Sequence, residues 1–336
     1  MPQRIRLLLV SGLCAMAAAP AMALDCLPDY PQYNAAPISA PEGTYRITGY
    51  NDMAEMLAPM VSLFSARHPG YRIELVLEGT RTAPPALTSE ASFLAPMGAE
   101  WSDADLAAFR ARHGYAPVTI RVAHDSLSPL AKSSLAAIVV HTSNPLTVIT
   151  LDQARQVFTR GGKVTDWSQL TAGKTGAIHP VGFGETTAVG LFLRRHKFGN
   201  APFAANYAGM PQSREVIAAV AADPSAIGLA NLNHVTPQVR ALGIAARPGA
   251  TPSFGSRQDI ATGRYPLDRQ LYVSMRRGGD GRIEPLARAW AELILSCEGQ
   301  AIIAGGSLGY IPLNPREAAR ERQTLRQPSK HRTENQ

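Results

Sequence analysis

The segment best suited to carry chemistry is 182–187, which reads Gly-Phe-Gly-Glu-Thr-Thr between a predicted strand and a predicted helix. It places Glu185, Thr186 and Thr187 where the helix begins. The first backbone N–H groups of a helix have no partner within the helix and attract anions. Glu185 is ambiguous, because a carboxylate also favours the positive end of a helix. The segment therefore predicts an anion-binding loop.

A second turn of this kind contains Asn51 and Asp52, which follow a predicted strand and precede a predicted helix. Both residues are common helix N-caps, and this is the simpler interpretation. Asp52 has an alternative role, since a carboxylate beside a bound anion is tolerated when the ligand carries a proton that it can accept. Both residues are therefore candidate ligand contacts.

A third turn contains Thr80, Arg81 and Thr82 at the end of the strand predicted over 72–77. Arg81 is either an exposed loop arginine or the cation of an anion site. We expect the site to combine backbone N–H groups at Asn51, Thr80 and Thr187 with the hydroxyls of Thr80, Thr82 and Thr187. Replacing Arg81 by Ala is then expected to weaken ligand binding at least tenfold. Asp125 follows the strand predicted over 118–122. It either belongs to a hinge at the edge of the cleft or contacts the ligand.

These turns belong to alternating strands and helices, which predict an α/β protein with parallel sheets. Thr150 and Gln153 form a capping box for a helix that continues through Phe158. An apolar stripe from Leu286 to Cys297 predicts one helix. Strands are predicted over 45–48, 72–77, 93–97, 118–122, 136–140, 178–182, 227–230 and 271–275.

The ionisable residues exclude several classes of function. The chain of 336 residues has a formal charge of +7, but much of it lies in the first residues and in a basic tail over 315–336. The remaining body is nearly balanced, which argues against a nucleic-acid partner. None of the eight histidines lies three to five residues from another, so the sequence predicts no metal site and no cofactor. The tail is predicted to be disordered.

The first 23 residues have the pattern of a cleaved signal peptide, with Arg4 and Arg6 before an apolar run and Ala-Met-Ala at the end. We expect a periplasmic or secreted protein without membrane insertion, beginning with a proline-rich arm over 24–42. Cleavage leaves Cys26 and Cys297. In an oxidising compartment this pair predicts a disulfide bond, although two unpaired thiols are the alternative.

Short segments in a specific order then suggest a family. They include Gly49-Tyr50-Asn51-Asp52-Met53, His68-Pro69-Gly70, Asn144-Pro145-Leu146, Glu298-Gly299-Gln300-Ala301 and Gly309-Tyr310-Ile311-Pro312-Leu313. With these segments the sequence resembles the type II periplasmic solute-binding proteins, in particular the phosphate-binding subunits of ABC transporters.

This resemblance implies a two-lobe fold in which each lobe is a mostly parallel sheet flanked by helices. Lobe I is expected to span 43–122 and 266–314, lobe II to span 123–265, and two crossovers to join them near Val122 and Tyr265. The implied function is capture of a small oxyanion, with phosphate the leading candidate, by a monomer that delivers it to an ABC transporter permease. A non-enzyme is therefore expected. The alternatives are a secreted phosphate-ester hydrolase on the same scaffold and a sensory or structural relative that does not bind phosphate.

The sequence departs from the family in its ligand-binding residues. Phe183 stands where the family has an arginine, and Thr187-Ala188-Val189 replaces Ser-Gly-Thr. The aspartate that accepts the proton of hydrogen phosphate falls at about Ser92. The resemblance thus implies that other residues supply the cation and the acceptor.

Overall fold

Two β-sheets organise the molecule in a computed structural model, which describes residues 29–326. The signal peptide, Cys26 and the last ten residues lie outside this range. The first sheet has the strand order β13-β4-β12-β3-β1-β2, the second has the order β10-β5-β9-β7-β8, and β11 and β6 form a small two-stranded sheet beside them. The strands are β1 (Gly43–Thr48), β2 (Tyr71–Val76), β3 (Leu94–Met97), β4 (Val118–His124), β5 (Ala136–His141), β6 (Val148–Thr150), β7 (His179–Phe183), β8 (Ala208–Met210), β9 (Ala226–Asn231), β10 (Val239–Ala241), β11 (Gly243–Ala245), β12 (Gln270–Met275) and β13 (Ile311–Pro312).

Helices flank both sheets, and short 3-10 turns at Asn51–Met53 and Thr80–Thr82 precede two of them. The helices are α1 (Ala54–Arg67), α2 (Ala83–Thr88), α3 (Asp103–His113), α4 (Leu151–Phe158), α5 (Ala188–Phe192), α6 (Ser213–Ala222), α7 (Arg257–Ala261), α8 (Pro285–Ile294), α9 (Cys297–Ala304) and α10 (Pro315–Thr324). A π-helical turn over Leu193–Lys197 continues directly from α5. These elements confirm the predicted α/β class.

Most strands in each sheet run in one direction. In the first sheet β2, β1 and β3 pair in parallel, while β12 is inserted antiparallel between β3 and β4. In the second sheet β8, β7 and β9 pair in parallel, and β5 pairs antiparallel to β9. Parallel strands that alternate with helices bring strand ends and helix N-termini to one edge of each sheet, where ligands bind in open α/β folds.

The chain leaves the first sheet at the end of β4 and returns to it at the start of β12. These two points are adjacent, because Gln270 pairs with His124 in the antiparallel ladder. The two connections between the sheets therefore run side by side. Apolar side chains pack into separate clusters on the two sheets, with Trp290 and Phe64 buried under the first and Trp167 and Phe158 under the second.

Several local predictions are confirmed and two are wrong. The capping box of Thr150 and Gln153 is present at the start of α4. The apolar stripe predicted as one helix forms two, because the Ser296 hydroxyl accepts a hydrogen bond from Gly299 and starts α9. The disorder predicted from residue 315 is wrong for the described part of the tail. There α10 begins with a capping box between Asn314 and Glu317.

Candidate functional site

A buried ion pair lies where the two crossovers run together. Arg269 directly precedes β12 and is 4% exposed, and Asp125 directly follows β4 and is fully buried. Nη1 of Arg269 lies 3.3 Å from Oδ2 of Asp125. The Ser133 hydroxyl donates to Oδ1 of Asp125 at 2.6 Å, whereas Oδ2 has no hydrogen-bond partner among residues 29–326. Since buried charges require partners, an incompletely bonded pair of this kind is a candidate for ligand contact.

Arg269 also connects the crossovers to the loops of the first sheet. Its Nη2 donates to the carbonyl of Gly98, just beyond β3, at 3.2 Å. The Gly98 N–H in turn donates to the hydroxyl oxygen of Thr80 at 3.0 Å. A Cβ atom at position 98 would lie 2.6 Å from the Tyr50 ring, so the close approach of these loops requires glycine. Predicted residues Thr80 and Asp125 thus belong to one network.

Asp52 lies in a neighbouring cluster and is 7% exposed. Its Oδ2 accepts hydrogen bonds from the Tyr310 hydroxyl at 3.0 Å and from the Lys132 N–H at 2.6 Å. Burial raises the pKa of Tyr310 and of Tyr50, so both hydroxyls stay protonated and available as donors. Lys132 follows the first crossover, so Asp52 ties the β1–α1 turn to that loop.

The N-cap interpretation of Asn51 and Asp52 is wrong. The first turn is capped at Tyr50, and no side chain in the described part of the chain provides a cap hydrogen bond there. Asn51 opens the 3-10 turn and is half-buried. Asp52 does not cap the helix because its carboxylate bonds Tyr310 and Lys132. Asn51 does not cap it because Asn51 lies inside the turn.

The remaining predicted residues of the first sheet lie around this network without joining it. Arg81 is exposed, and within residues 29–326 its guanidinium forms no ion pair. The Thr82 hydroxyl donates to the Gly79 carbonyl at 2.8 Å. Ser92 precedes β3 and its fully buried hydroxyl bonds the backbone of Arg46 and Leu94. Ser92 therefore stabilises the backbone of the first sheet.

The loop between β7 and α5 satisfies its polar groups internally. The N–H and the hydroxyl of Thr187 both donate to the Gly184 carbonyl, at 3.0 and 2.8 Å, so the expectation of a free N–H at Thr187 is wrong. Oε1 of Glu185 accepts from the Phe203 N–H, and its other oxygen pairs with Arg194. Thr186 is exposed. Within the described range, no hydrogen bond or ion pair joins residues 184–187 to the first sheet.

The helix after this loop does reach the first sheet. The Phe192 ring lies against Arg269, with 5.5 Å from the guanidinium carbon to the ring centroid. Arg195, in the following π-helical turn, pairs with Asp103 at 2.6 Å and donates to the Trp101 carbonyl at 3.1 Å. Phe183 is instead buried in the apolar cluster of the second sheet. The buried cation paired with Asp125 is therefore Arg269, on the second crossover.

Sequence reasoning missed Arg269 and Tyr310 as members of the site. The available signal for Arg269 was its position, since it follows Asp268 and lies two residues before the predicted strand over 271–275. A charged residue just before the start of a buried strand is unusual unless it is paired. Nothing local to Tyr310 distinguished it from a core residue. In the described part of the chain, no group of three or more acidic, histidine or cysteine residues is arranged to hold a metal ion.

Two helix-flanked sheets, linked by paired crossovers with a polar network between them, define a two-lobe α/β binding-protein architecture. The model of the PBP superfamily domain matches residues 34–298, and the chain belongs to this superfamily. It is 29% identical over 306 residues to the phosphate-binding protein PstS of Pseudomonas aeruginosa, a match that spans 88% of this chain and 90% of that protein.

Solved structures show the same fold at low sequence identity. An ABC-type phosphate transport receptor from Vibrio cholerae is 17% identical, with a TM-score of 0.53, and the match covers 80% of this chain and 99% of that one. PstS from Borrelia burgdorferi is 13% identical with the same TM-score, over 81% and 100%. These likenesses establish the type II fold. Separately, no helix within residues 29–326 combines the length and apolar character needed to span a membrane.

Proposed function

We propose that this protein binds a small oxyanion, hydrogen phosphate, in the cleft between its two lobes. The observation that carries the proposal is the buried pair of Arg269 and Asp125 at the crossovers, in a chain similar over most of its length to a phosphate-binding protein. The family arginine and aspartate are absent from their usual positions. The pair supplies a charged donor and a carboxylate acceptor from another element.

The chemistry of hydrogen phosphate fits this pair. A guanidinium donates two parallel hydrogen bonds to oxyanions, and such charged hydrogen bonds are about twice as strong as neutral ones. Oδ2 of Asp125 is ion-paired with Arg269 but has no hydrogen-bond partner within residues 29–326, and it is able to accept the proton of a hydrogen phosphate. Sulfate has no proton to donate at neutral pH, so an acceptor carboxylate disfavours it. The site therefore favours phosphate over sulfate.

The sequence-predicted residues complete the proposed site. The Thr80 hydroxyl and the backbone N–H groups at Asn51 and Thr80 line the first-sheet side, with Asp52 as a second acceptor. Arg81 and Thr82 stand at the outer part of this side. On the loop of the second sheet, the exposed Thr186 is the contributing residue, because Glu185 and the Thr187 hydroxyl are bonded within their own lobe.

We propose the wider organisation as well. Lobe I comprises 43–122 and 266–314, and lobe II comprises 123–265. The mature protein begins near Leu24, functions in the periplasm as a monomer and hands its ligand to an ABC transporter permease. A disulfide joins Cys26 to Cys297, which is buried at the start of α9. The proposal requires no covalent chemistry and no cofactor.

Calorimetric titration of ligand-stripped mature protein at fixed pH tests the proposal, with phosphate as the ligand and sulfate as the control. We expect an affinity in the range of about 1 μM, near −8 kcal/mol, for phosphate and much weaker binding of sulfate. Absence of heat and of thermal stabilisation with both anions would show that the cleft serves another ligand.

A further inference from the structure

A second cavity lies between the two lobes, beside the crossovers and separate from the proposed oxyanion site. It has a volume of about 420 Å³, which is within the range of small-molecule sites. Its lining includes Glu100, Tyr272 and Asp268, together with Phe192, His196 and Lys197 from the second lobe. None of the residues proposed to contact the oxyanion lines this cavity, although Phe192, which does, also lies against Arg269.

Nearly all charged groups in its lining are already paired. Glu100 forms ion pairs with His196 and Arg195, and it accepts a hydrogen bond from the Tyr272 hydroxyl. Arg121 pairs with Glu321. Glu317 is bonded to the buried His124 and, as the second half of the capping box, to the backbone of Asn314. These groups have little capacity left for a ligand.

Lys197 is the exception among these charged groups, and Asp268, although ion-paired with His124, keeps one unbonded carboxylate oxygen. Lys197 is half-buried, and among residues 29–326 its ammonium forms no hydrogen bond or ion pair, although it lies 5.2 Å from the Phe192 ring centroid. Asp268 is 8% exposed, and its Oδ1 has no hydrogen-bond partner in the described range. Oδ2 of Asp268 is occupied by His124 and Gln270.

Burial disfavours the charged form of both groups. It lowers the pKa of Lys197 despite the nearby charge of Asp268, and it raises the pKa of Asp268 despite the hydrogen bond from His124. A ligand that gives each group a partner relieves this cost. The lysine requires an acid group and the aspartate requires a donor such as a protonated amine. The rings of Phe192 and Tyr272 supply apolar walls for the part between them.

We propose that this cavity, bounded by Lys197 on one lobe and Asp268 on the second crossover, is a second ligand site for a small zwitterion of the amino-acid type. The acid group of the ligand binds the Lys197 ammonium and its amine binds Oδ1 of Asp268. The site is independent of the phosphate site, so a ligand here joins the second lobe to the crossover without competing with phosphate.

The test uses the full mature protein and the standard L-amino acids as probes. A thermal-shift screen at millimolar concentration identifies any that stabilise the fold, and calorimetry then measures their affinity. We expect at least one amino acid to bind. We expect Lys197→Met, which keeps the apolar stem and removes the ammonium, to weaken that binding about tenfold or more. Lys163→Ala removes an exposed lysine of the same lobe and is expected to change nothing.

Asp268→Asn provides a second variant, with its melting temperature recorded because Asp268 also bonds His124. Phosphate titrations of Lys197→Met separate this site from the first, and we expect them to match the wild type. The inference is overturned if no amino acid stabilises the protein or if the stabilisation survives Lys197→Met. It is also overturned if Lys197→Met abolishes phosphate binding, since the cavity would then belong to the first site.

Discussion

At the scale of single residues, Arg269, the proposed cation of the site, lies on the second crossover directly before β12. Its guanidinium is held by Asp125, by the Gly98 carbonyl and by the Phe192 ring, which come from three different parts of the chain. Such a side chain has few alternative conformations and loses little entropy when it binds a ligand. A preorganised arginine is therefore a suitable replacement for the one absent at Phe183.

Replacing Arg269 by Met is expected to weaken phosphate binding by about 10- to 100-fold, because a hydrogen bond to a charged group contributes roughly 1.5 to 3 kcal/mol. Arg269→Lys keeps the charge without the planar fork and is expected to give an intermediate loss. Calorimetry at one pH measures both, with melting temperatures to confirm that the variants are folded.

Arg81→Ala is the comparison for this prediction. The sequence predicts a loss of at least tenfold, and the exposure of Arg81 leads us to expect a smaller loss than for Arg269→Met. An affinity unchanged by Arg269→Met but strongly reduced by Arg81→Ala would assign the cation to the loop and contradict our proposal.

The site residues divide clearly into those that local patterns predict and those that they do not. Thr80 and Asp52 follow strands and precede helices, so their position at the sheet edge is encoded locally. Arg269 meets Asp125 only because β12 pairs with β4, a contact between distant parts of the sequence. Periodicity and turn signals contain no information about such pairings.

At the scale of elements, α10 is held to the first sheet by two carboxylates that face inward. Glu317 accepts from Nε2 of His124 at 3.0 Å, and Glu321 pairs with Arg121 at 2.6 Å. Asp268 bonds the other nitrogen of His124 at 2.7 Å. The tail looked disordered because its composition is polar and charged. The helix is stabilised mainly by specific ion pairs and caps, which composition does not reveal.

His124 predicts how stability depends on pH. Burial alone would lower its pKa, but the hydrogen bonds and charges of Asp268 and Glu317 outweigh burial and raise the pKa to about 9. A raised pKa contributes stability that is complete below the unfolded value, about 6.5, and is lost as pH rises towards 9. The full shift corresponds to a loss of about 3 kcal/mol in the free energy of unfolding.

Urea unfolding across this pH range measures the loss, and His124→Gln is the control because it cannot titrate. We expect the variant to be less stable than the wild type at neutral pH and to show a flatter pH dependence. Equal slopes for the two proteins would show that other groups cause the dependence.

At the scale of the whole molecule, Arg195 joins the lobes. It extends from the π-helical turn of the second lobe to Asp103 and the Trp101 carbonyl in the first. Arg194→Ala is a matched control, because Arg194 pairs with Glu185 within its own lobe. We expect Arg195→Ala to increase the radius of gyration of the ligand-free protein in solution scattering, whereas Arg194→Ala leaves it unchanged.

We expect Arg195→Ala to change the affinity for phosphate only modestly. Asp103 is largely exposed, and exposed ion pairs contribute up to about 1 kcal/mol, which corresponds to roughly fivefold in phosphate affinity. An identical radius of gyration for wild type and Arg195→Ala would contradict the assignment of Arg195 as a link between the lobes.

The proposed disulfide also acts at this scale, since it ties the N-terminal arm to α9. Thiol titration of the denatured mature protein is expected to find no reactive thiol before reduction and two after it. Two thiols before reduction would exclude the bond. No thiol before reduction and two after it would show that the arm is covalently joined to the first lobe.

The strand order has a consequence for the way the protein is made. Residues 125–265 form the second sheet without interruption, so this part has all its strands once they have left the ribosome. The first sheet lacks β12, which separates β3 from β4, until residue 275 has been synthesised. Until then, the early strands of the first sheet have unpaired edges, and such edges are prone to aggregation. The lobe that begins the chain is therefore the last to be completed.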